Sequence, residues 1–324
     1  VVRGRRAVAL RLVVLAAAVA LAIALVLAAL EDDAAVTSPA DDVPPIEGPR
    51  IAAAGDIACD PESSAFAEGR GSGSTCRQLA TSDLLVGEGY SAVLALGDIQ
   101  YEDASHAKFL ASYDRSWGRV KEITRPVPGN HEYRTPGASG YYEYFGAAAG
   151  DPAEGYYSFD LGGWHVLALN SNCAAVEGCD EGSPQERWLR ADLAANPVRC
   201  TLAFWHHPRY SSGRHGSDRA YRPFFQALYD AGADVVLVAH DHDYERFAPQ
   251  DADGGRDDAR GIPQFVVGTG GRSLRTFPRV EPNSEARDRS SFGVLELTLG
   301  PNAFVWRFRP AVGTFTDAGS GRCH

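Results

Sequence analysis

The sequence of 324 residues contains no methionine and lacks several short motifs that mark common catalytic centres. No Cys-x-x-Cys pair occurs, which argues against a zinc site built from thiolates. No Gly-x-Ser-x-Gly segment occurs, so the sequence does not indicate a serine nucleophile. A glycine-rich stretch at residues 69–74 lacks the Lys-Ser/Thr ending of a nucleotide-binding loop, and we interpret it as a surface loop.

Basic charge is also scarce. The 31 lysines and arginines are outnumbered by 42 aspartates and glutamates, which leaves a formal net charge of -11. Such an acidic chain argues against a general nucleic-acid-binding protein, and we predict no nucleic-acid partner. An anionic substrate would need local positive charge from a bound metal or from a cluster of arginine and histidine side chains.

The N-terminal segment combines arginines with a long apolar run over residues 12–30. This run is long enough to span a bilayer, and its basic flank fits the positive-inside rule. We predict that residues 1–30 form a hydrophobic helix that acts as a signal anchor or as a cleaved signal peptide. The protein would then be extracytoplasmic, either secreted or anchored by this segment to the outer face of the cytoplasmic membrane. Residues 31–47 are acidic and proline-rich, which predicts a linker.

Six cysteines are present in a chain that we predict to be exported. An even number of cysteines outside the cytoplasm favours disulfides, and six cysteines allow fifteen pairings. Two of the bonds that we predict join nearest neighbours along the chain, and the third joins the cysteines that remain. These predicted bonds are Cys59–Cys76, Cys173–Cys179 and Cys200–Cys323.

Apolar runs that end in polar residues recur after residue 48. The runs 51–54 and 92–96 both end at Gly-Asp, and helical patterns at 75–86 and 104–120 follow them. This alternation of strands and helices predicts a parallel sheet. The C-terminal half contains mainly strand signals. We therefore predict one domain at residues 48–324, with central sheets covered by helices.

Side chains suited to metal binding follow five of the predicted strands. They are Asp56, Asp98 with Tyr101, Asn130 with His131, His206, and His240 with His242. Taken singly, such residues are more typical of turns, helix caps or surface groups. Taken together, carboxylate, amide and imidazole groups at successive strand ends are what a two-metal site on an α/β scaffold requires.

These segments occur in a specific order. Gly-Asp, Gly-Asp-x-x-Tyr, Gly-Asn-His-Glu, a later single histidine and His-x-His-x-Tyr-Glu-Arg resemble the calcineurin-like metallophosphoesterases, and more narrowly their purple acid phosphatase branch. The resemblance covers about residues 50–310. It implies an α/β (α+β) fold, namely a four-layer α/β/β/α sandwich with two central mixed β-sheets. It also implies the hydrolysis of phosphate esters with two metal ions.

The resemblance further implies two sets of metal ligands that share the bridging carboxylate of Asp98. The first set adds Asp56, Tyr101 and His242, and the second set adds Asn130, His206 and His240. A phenolate binds only a strongly acidic, hard cation, so the tyrosine favours ferric iron in the first set. The amide and imidazoles of the second set suit divalent zinc, iron or manganese. Many relatives carry a histidine ligand at the position that is Ala58 in this chain. In the purple acid phosphatase branch a tyrosine takes the role of that histidine, and Tyr101 matches this tyrosine.

We predict that the protein hydrolyses small phosphate monoesters by direct attack of a metal-bound hydroxide, as acid phosphatases do. His131 would stabilise the charge of the phosphate. His215 matches a position where plant-type relatives carry a histidine and is the candidate general acid, although a solvated loop histidine is the alternative. Four residues are predicted to orient the ligands from outside: Glu132, Tyr244, Glu245 and Arg246. We expect His207 to point away from His206, as alternate residues of a strand do.

Two alternatives share the same fold. One is a phosphodiesterase or nucleotidase that uses the same metals with a different pocket. The other is a non-catalytic surface binding protein that retains the fold. The presence of every predicted ligand argues against the second alternative. One departure from the family pattern is Ala239, which stands where glycine usually precedes His-x-His, and its methyl group could crowd the turn or the substrate.

Overall fold

Two mixed β-sheets share one core in the computed structural model, which describes residues 46–324. The first sheet has the order β13-β12-β11-β1-β2-β3. Its strands are β1 (Arg50–Ala54), β2 (Ala92–Leu96), β3 (Thr124–Val127), β11 (Phe292–Leu299), β12 (Ala303–Val312) and β13 (Ala318–Arg322). Strands β1, β2 and β3 are parallel, and β11 pairs antiparallel with β1.

The second sheet has the order β10-β8-β9-β7-β6-β5-β4. Its strands are β4 (Tyr157–Leu161), β5 (Trp164–Ala168), β6 (Cys200–Phe204), β7 (Val235–Val238), β8 (Tyr244–Phe247), β9 (Gln264–Val267) and β10 (Ser284–Asp288). Strands β5, β6, β7 and β9 are parallel, whereas the strands at both edges run antiparallel. The two mixed sheets with helices confirm the predicted sandwich.

The α-helices within residues 46–324 are α1 (Gln78–Asp83), α2 (His106–Lys108), α3 (Ser139–Phe145), α4 (Pro184–Ala195) and α5 (Arg222–Ala231). Alternation along β6 explains how sheet and helices pack. Leu202 and Phe204 lie in the core that both sheets share, whereas Ala203 lies with side chains of α4 and α5 in a second core. On the first sheet, α1 packs on β11 and β12.

The helix predicted over residues 104–120 is wrong as a single helix. After α2 the chain forms a π-helical segment, Phe109–Tyr113, and later a 3-10 segment, Trp117–Ile123. Three fully buried aromatic residues spaced four apart, at positions 109, 113 and 117, lie in the shared core along this stretch. Residues 114–116 between the two segments form a turn, so one continuous α-helix does not form.

Three disulfides are present, two that close short loops and one that joins distant parts of the chain: Cys59–Cys76, Cys173–Cys179 and Cys200–Cys323. These are the predicted pairs, and no cysteine within residues 46–324 is free. The third bond joins the start of β6 to the C-terminus across 123 residues. A loop of this length is worth about 4–5 kcal/mol in the chain-entropy account of disulfides.

The predicted N-terminal helix, residues 1–30, lies outside the described residues, as does most of the predicted linker at 31–47. Within residues 46–324, none of the helices combines the length and the apolar character needed to cross a membrane. The domain boundaries that we assign at the N-terminal side therefore stay predictions.

Candidate metal centre

The carboxyl ends of five parallel strands bring the candidate ligands together. Asp56 follows β1, Asp98 follows β2 and His206 follows β6, so that both sheets contribute. Donor atoms of these three buried side chains lie within 4.8 Å of one another. Asn130 follows β3, and His240 follows β7. This is the edge at which α/β sheets hold ligands, because the loops that leave parallel strands meet there.

The first predicted ligand set forms a closed group of donors. The hydroxyl oxygen of Tyr101 lies 2.6 Å from Asp56 Oδ1, 3.0 Å from Asp98 Oδ2 and 3.2 Å from His242 Nε2. His242 Nε2 also lies 3.2 Å from Asp56 Oδ1. All four residues are at most 2% exposed. Two carboxylates, a phenol and an imidazole thus point at one small volume.

The second predicted set is organised around imidazole nitrogens. His206 Nε2 lies 3.2 Å from His240 Nδ1 and 3.4 Å from Asp98 Oδ1. The side-chain oxygen of Asn130 is buried and has no hydrogen-bond partner among the described residues. A buried carbonyl oxygen without a partner is costly unless a cation or another donor satisfies it. The second set therefore fits a bound cation.

Asp98 lies between the two sets. Its Oδ2 faces Tyr101, whereas its Oδ1 faces His206 and accepts a hydrogen bond from the backbone N–H of His131 at 2.8 Å. Each carboxylate oxygen is thus directed at a different group of ligands. This is the arrangement that a carboxylate bridging two cations needs.

The electrostatics of the group also fit cations. Burial raises the pKa of Tyr101 well above its usual range, and the charges of Asp56 and Asp98 raise it further. Without added positive charge the side chain stays a phenol, and only a strong cation would make it a phenolate. Burial lowers the pKa of His206, but the charges of Asp98 and Asp56 outweigh burial and raise it to about 9. A cation and this proton would compete for the same nitrogen.

Contacts behind the ligands set their orientation. His206 Nδ1 lies 2.8 Å from the carbonyl oxygen of Leu96, which leaves Nε2 to face the centre. His242 Nδ1 lies 2.7 Å from the hydroxyl of Ser273 and likewise leaves Nε2 to face Asp56. Such contacts fix the tautomer and the ring angle of a metal-binding histidine. Ser273 lies 31 residues after His242, and no motif in the sequence marks it.

Glu132 links two ligand-bearing loops, and its role in orienting the ligands stays a prediction. Its carboxylate accepts hydrogen bonds from four backbone N–H groups, three at residues 98–100 and one at Gly129. Gly129 is required here because a Cβ atom at this position would lie 2.3 Å from Asp98 Oδ1. Burial and Asp98 raise the pKa of Glu132 to about 7, and the backbone donors act against this shift.

Ala239 is accommodated by a glycine on the neighbouring loop. Its methyl group is fully buried, and a Cβ atom at Gly55 would lie 2.5 Å from it. The methyl group therefore occupies space that Gly55 leaves open. It points into the protein core and away from the surface where a substrate would approach, which answers the concern raised by this departure from the family pattern.

His131 lies beside the ligands of the first set. Its ring centroid is 4.2 Å from that of Tyr101, and its Nε2 lies 3.8 Å from Asp98 Oδ2. Its Nδ1 lies 2.6 Å from the carbonyl oxygen of Glu102 and donates to it. This bond directs the other ring nitrogen toward the centre. Burial lowers the pKa of this histidine.

His215 lies against the second ligand set at the protein surface. Its ring centroid is 4.1 Å from that of His240. Two contacts position it: its backbone N–H donates to Asp241 at 2.8 Å, and Arg275 Nη1 donates to its Nε2 at 2.7 Å. Burial lowers the pKa of His215, and the charge of Arg275 adds to this effect. Sequence reasoning missed Arg275, which lies 60 residues farther along the chain.

The prediction that His207 points away from the site is wrong. Its ring centroid lies 4.4 Å from that of His240 and 4.8 Å from that of His206. The expected alternation applies only within a strand, and β6 ends at Phe204. Beyond that residue the backbone leaves the ladder, so neighbouring side chains can face the same space. Burial and His206 lower the pKa of His207 to about 3.

Tyr244 and Arg246 do not fit their predicted role. They lie on β8, where residues two apart share a face, and both side chains contact Asp317 at 2.8 Å. The strand thus directs them away from the candidate ligands. Glu245, on the opposite face, accepts a hydrogen bond at 2.7 Å from the backbone N–H of Ser212. It therefore supports the loop that carries His215 and contacts no candidate ligand.

Comparison with known proteins shows the family of this chain. The sequence profile of a family described as "Calcineurin-like phosphoesterase" matches residues 49–244. Purple acid phosphatase 18 of Arabidopsis thaliana is 27% identical over 236 residues, which are 65% of this chain and 51% of that protein. Purple acid phosphatase 21 of the same plant is 30% identical over 246 residues, which are 68% of this chain and 54% of that protein. The chain spans about half the length of these curated relatives.

A solved structure supports the fold. The purple acid phosphatase isolated from seeds of yellow lupin (Lupinus luteus) superposes with a TM-score of 0.68 and 18% sequence identity. The similarity covers 85% of this chain and 54% of the lupin chain. The four-layer arrangement around the candidate centre is therefore shared with that protein.

Proposed function

The chain belongs to the calcineurin-like phosphoesterase family, and we propose that it is an exported enzyme that hydrolyses small phosphate monoesters with two metal ions. The observation that supports this proposal most is the division of the two Asp98 oxygens between two ligand sets. The three relatives described above are named purple acid phosphatases, which supports an acid-phosphatase activity.

The donor chemistry favours two different ions. Tyr101, Asp56 and Asp98 supply oxygen donors of high negative charge, which favours ferric iron together with His242. Asn130, His206 and His240 supply neutral donors, which favours divalent zinc, iron or manganese. When bound, such ions polarise phosphoryl oxygens and make a water molecule a nucleophile at moderate pH.

His131 is proposed to bind the phosphate. Its Nδ1 is held by the carbonyl of Glu102, so its Nε2 faces the space in front of Asp98. A phosphate oxygen in that space would favour the protonated ring. The imidazolium Nε2–H would then donate to this oxygen and stabilise the negative charge that the reaction develops.

His215 is proposed to give a proton to the leaving alcohol. Arg275 can only donate hydrogen bonds, so its contact with Nε2 implies that Nδ1 carries the ring proton of the neutral imidazole. The Arg275 charge also makes the protonated ring more acidic. Only the protonated ring can release a proton to an alkoxide, so the acid role would require Nε2 to take up a proton and Arg275 to turn away from it. The proton would then pass to the alkoxide and leave the neutral ring.

Export is proposed from two observations that lie far apart in the chain. The three disulfides are of a kind that persists in oxidising compartments. The basic and apolar residues 1–30 have the composition of an anchor or a signal peptide, and residues 31–47 would link it to the catalytic domain at 48–324. If it stays uncleaved, this segment would hold the enzyme on the outer face of the membrane.

Metal analysis joined to a substrate screen tests this function. The protein purified from its exported form should contain two metal ions per chain by plasma mass spectrometry, one of them iron. It should hydrolyse monoesters faster than the matched diesters. Faster hydrolysis of the diesters would favour the phosphodiesterase alternative. A protein that binds two metals and hydrolyses neither ester would support the non-catalytic alternative.

A further inference from the structure

A cavity of about 580 Å³ opens beside the second ligand set. Asn130 and His207 line it on the side of the candidate metal centre, so it continues directly from the place where a phosphate would bind. The rings of Tyr133 and Tyr221 and the exposed residues Ala174 and Ala220 contribute to its other walls. Its volume lies within the range of about 300–1,000 Å³ that is usual for small-molecule sites.

None of the residues that line this cavity is Asp, Glu, Lys or Arg. Several of its polar side chains already have hydrogen-bond partners, whereas the Asn130 oxygen, on the side of the candidate metal centre, has none among the described residues. The Tyr133 hydroxyl accepts from Asn170 at 2.7 Å, and the Tyr221 hydroxyl donates to the Ser171 carbonyl at 3.1 Å. The Ser171 hydroxyl lies 2.8 Å from His207 Nδ1. A ligand would therefore meet mainly carbon surfaces.

One wall of the cavity is aromatic. The rings of His207 and Tyr221 are stacked, with centroids 5.6 Å apart and planes inclined by 15°. Backbone and side-chain contacts hold both rings, so the wall is formed before a ligand arrives. Preformed aromatic surfaces of this kind favour flat rings, because stacking adds to the burial of apolar area.

Carboxylates lie beyond the cavity. A neighbouring depression shares Cys173, Ala174 and Ala220 with it and is lined in addition by Glu177 and Asp180. An anionic group on the far side of a ligand would approach these two carboxylates. Like charges at short range disfavour such a ligand.

We infer that this cavity binds the alcohol portion of the phosphate ester and selects a flat, uncharged ring, either aryl or heteroaryl. The inference rests on the proposed function and names the class of its substrates. The phosphate would bind beside Asn130, and the ring would lie between Tyr133 and the wall formed by His207 and Tyr221. Esters whose alcohol carries further negative charge would be poor substrates.

Matched substrates separate ring recognition from leaving-group chemistry. The alkoxides of phenethyl phosphate, propyl phosphate and 4-carboxyphenethyl phosphate are similar leaving groups, so a difference in kcat/KM among these esters reports recognition of the ring. Phenethyl phosphate should have a kcat/KM about tenfold above that of the other two. Adenosine 5′-monophosphate compared with ribose 5-phosphate tests a heteroaryl ring in the same way. Preference in only one of the two comparisons identifies which ring type the cavity takes. Ratios within about twofold in both comparisons would overturn the inference.

Variants that place a positive or a negative charge on the cavity wall test whether the ring binds in this cavity. Ala220 is exposed, so long side chains should be tolerated there. Ala220→Lys should raise the ratio of kcat/KM for the carboxylated over the uncharged phenethyl ester, and Ala220→Glu should lower it. Ala259 is an exposed alanine that lines a different cavity, and Ala259→Lys should leave the ratio unchanged. If the ratio of the two kcat/KM values were equal in all three variants, the ring would bind outside this cavity.

A binding measurement separates this inference from the proposed function. Phenethyl alcohol and adenosine should give saturation-transfer NMR signals with the folded protein, and Ala174→Trp, which fills the cavity, should abolish them. Signals of this kind in a protein that hydrolyses no ester would support the cavity and overturn the proposed function. Hydrolysis of esters without the signals and without a ring preference would overturn the cavity alone.

Discussion

The two halves of the candidate metal centre differ in exposure and in donor type. The half formed by Asp56, Tyr101 and His242 is at most 2% exposed, and its donors contact one another. The half formed by Asn130, His206 and His240 is partly open, and its neutral donors include a carbonyl oxygen without a partner. His215 and His207 border only this second half through contacts with His240.

This difference indicates a division of work. A sealed group of anionic oxygens would retain a highly charged ion, because loss of that ion would leave buried charges unpaired. A more open group of neutral donors would bind its ion less tightly and leave room for the substrate. The cavity that we assign to the alcohol portion also adjoins the second half, at Asn130. Retention of a metal ion and turnover of the substrate would thus belong to different halves of the centre.

Asp98→Asn should have the largest effect, since this side chain belongs to both halves. We expect loss of at least one metal and a fall in kcat of about a thousandfold, the equivalent of several kcal/mol of transition-state stabilisation. Metal analysis and steady-state kinetics measure the two effects. Asp192→Asn is the matched control, because Asp192 contacts His165 and Ser158 and no candidate ligand. Unchanged metal content in Asp98→Asn would contradict the shared role.

Asn130→Ala should empty the second half and leave the first half intact. The metal content is expected to fall from two to one per chain, with iron retained, and activity should fall about a hundredfold. Asn196→Ala, at the end of α4, serves as the control. If iron were lost together with the divalent ion, the two halves would not be independent and the comparison would fail.

Tyr101→Phe should change the first half alone. The loss of the phenol should abolish a visible charge-transfer band and weaken iron binding at least about tenfold, since even partners of ligands contribute that much. Absorption spectra of the iron-loaded protein measure the band. Tyr113→Phe is a suitable control, because this tyrosine is buried and its hydroxyl has no partner among the described residues. A colourless wild-type protein that retains full activity would exclude the ferric assignment.

Ser273→Ala should have the smallest effect. This hydroxyl lies 2.7 Å from the far nitrogen of His242, so its removal should lower the affinity of the first half for its metal about tenfold. Competition with a chelator, followed by metal analysis, measures this change, and Ser158→Ala is the control. The second half should keep its affinity. An equal loss from both halves would show that Ser273 acts on the fold and not on His242.

Sequence patterns predicted the positions of candidate ligands wherever local rules of strand and turn formation hold. An apolar run followed by Gly-Asp indicates a strand that ends in a tight loop, and this rule located Asp56 and Asp98. The same rules failed where a strand or helix ended earlier than expected. His207 lies beyond the end of β6, and the helix predicted over residues 104–120 is α-helical only to Lys108, after which π-helical and 3-10 segments follow.

Contacts of the candidate site with residues that are distant in sequence could not be predicted from the sequence. Ser273 and Arg275 carry no local signal, because their roles arise only when the loop after β9 passes beside His242 and His215. Tyr244 and Arg246 show the opposite case. Their motif suggested a role beside the ligands, but the pleat of β8 turns both side chains toward Asp317.

The sequence by itself determined the donor types, their order along the chain and the strands that present them, since these follow from hydrophobic patterning and local turn chemistry. Only the tertiary structure decided how the donors divide. The meeting of two sheet edges directs one oxygen of Asp98 to Tyr101 and the other to His206. It also opens the cavity beside Asn130, because the walls of that cavity come from loops that no local rule brings together.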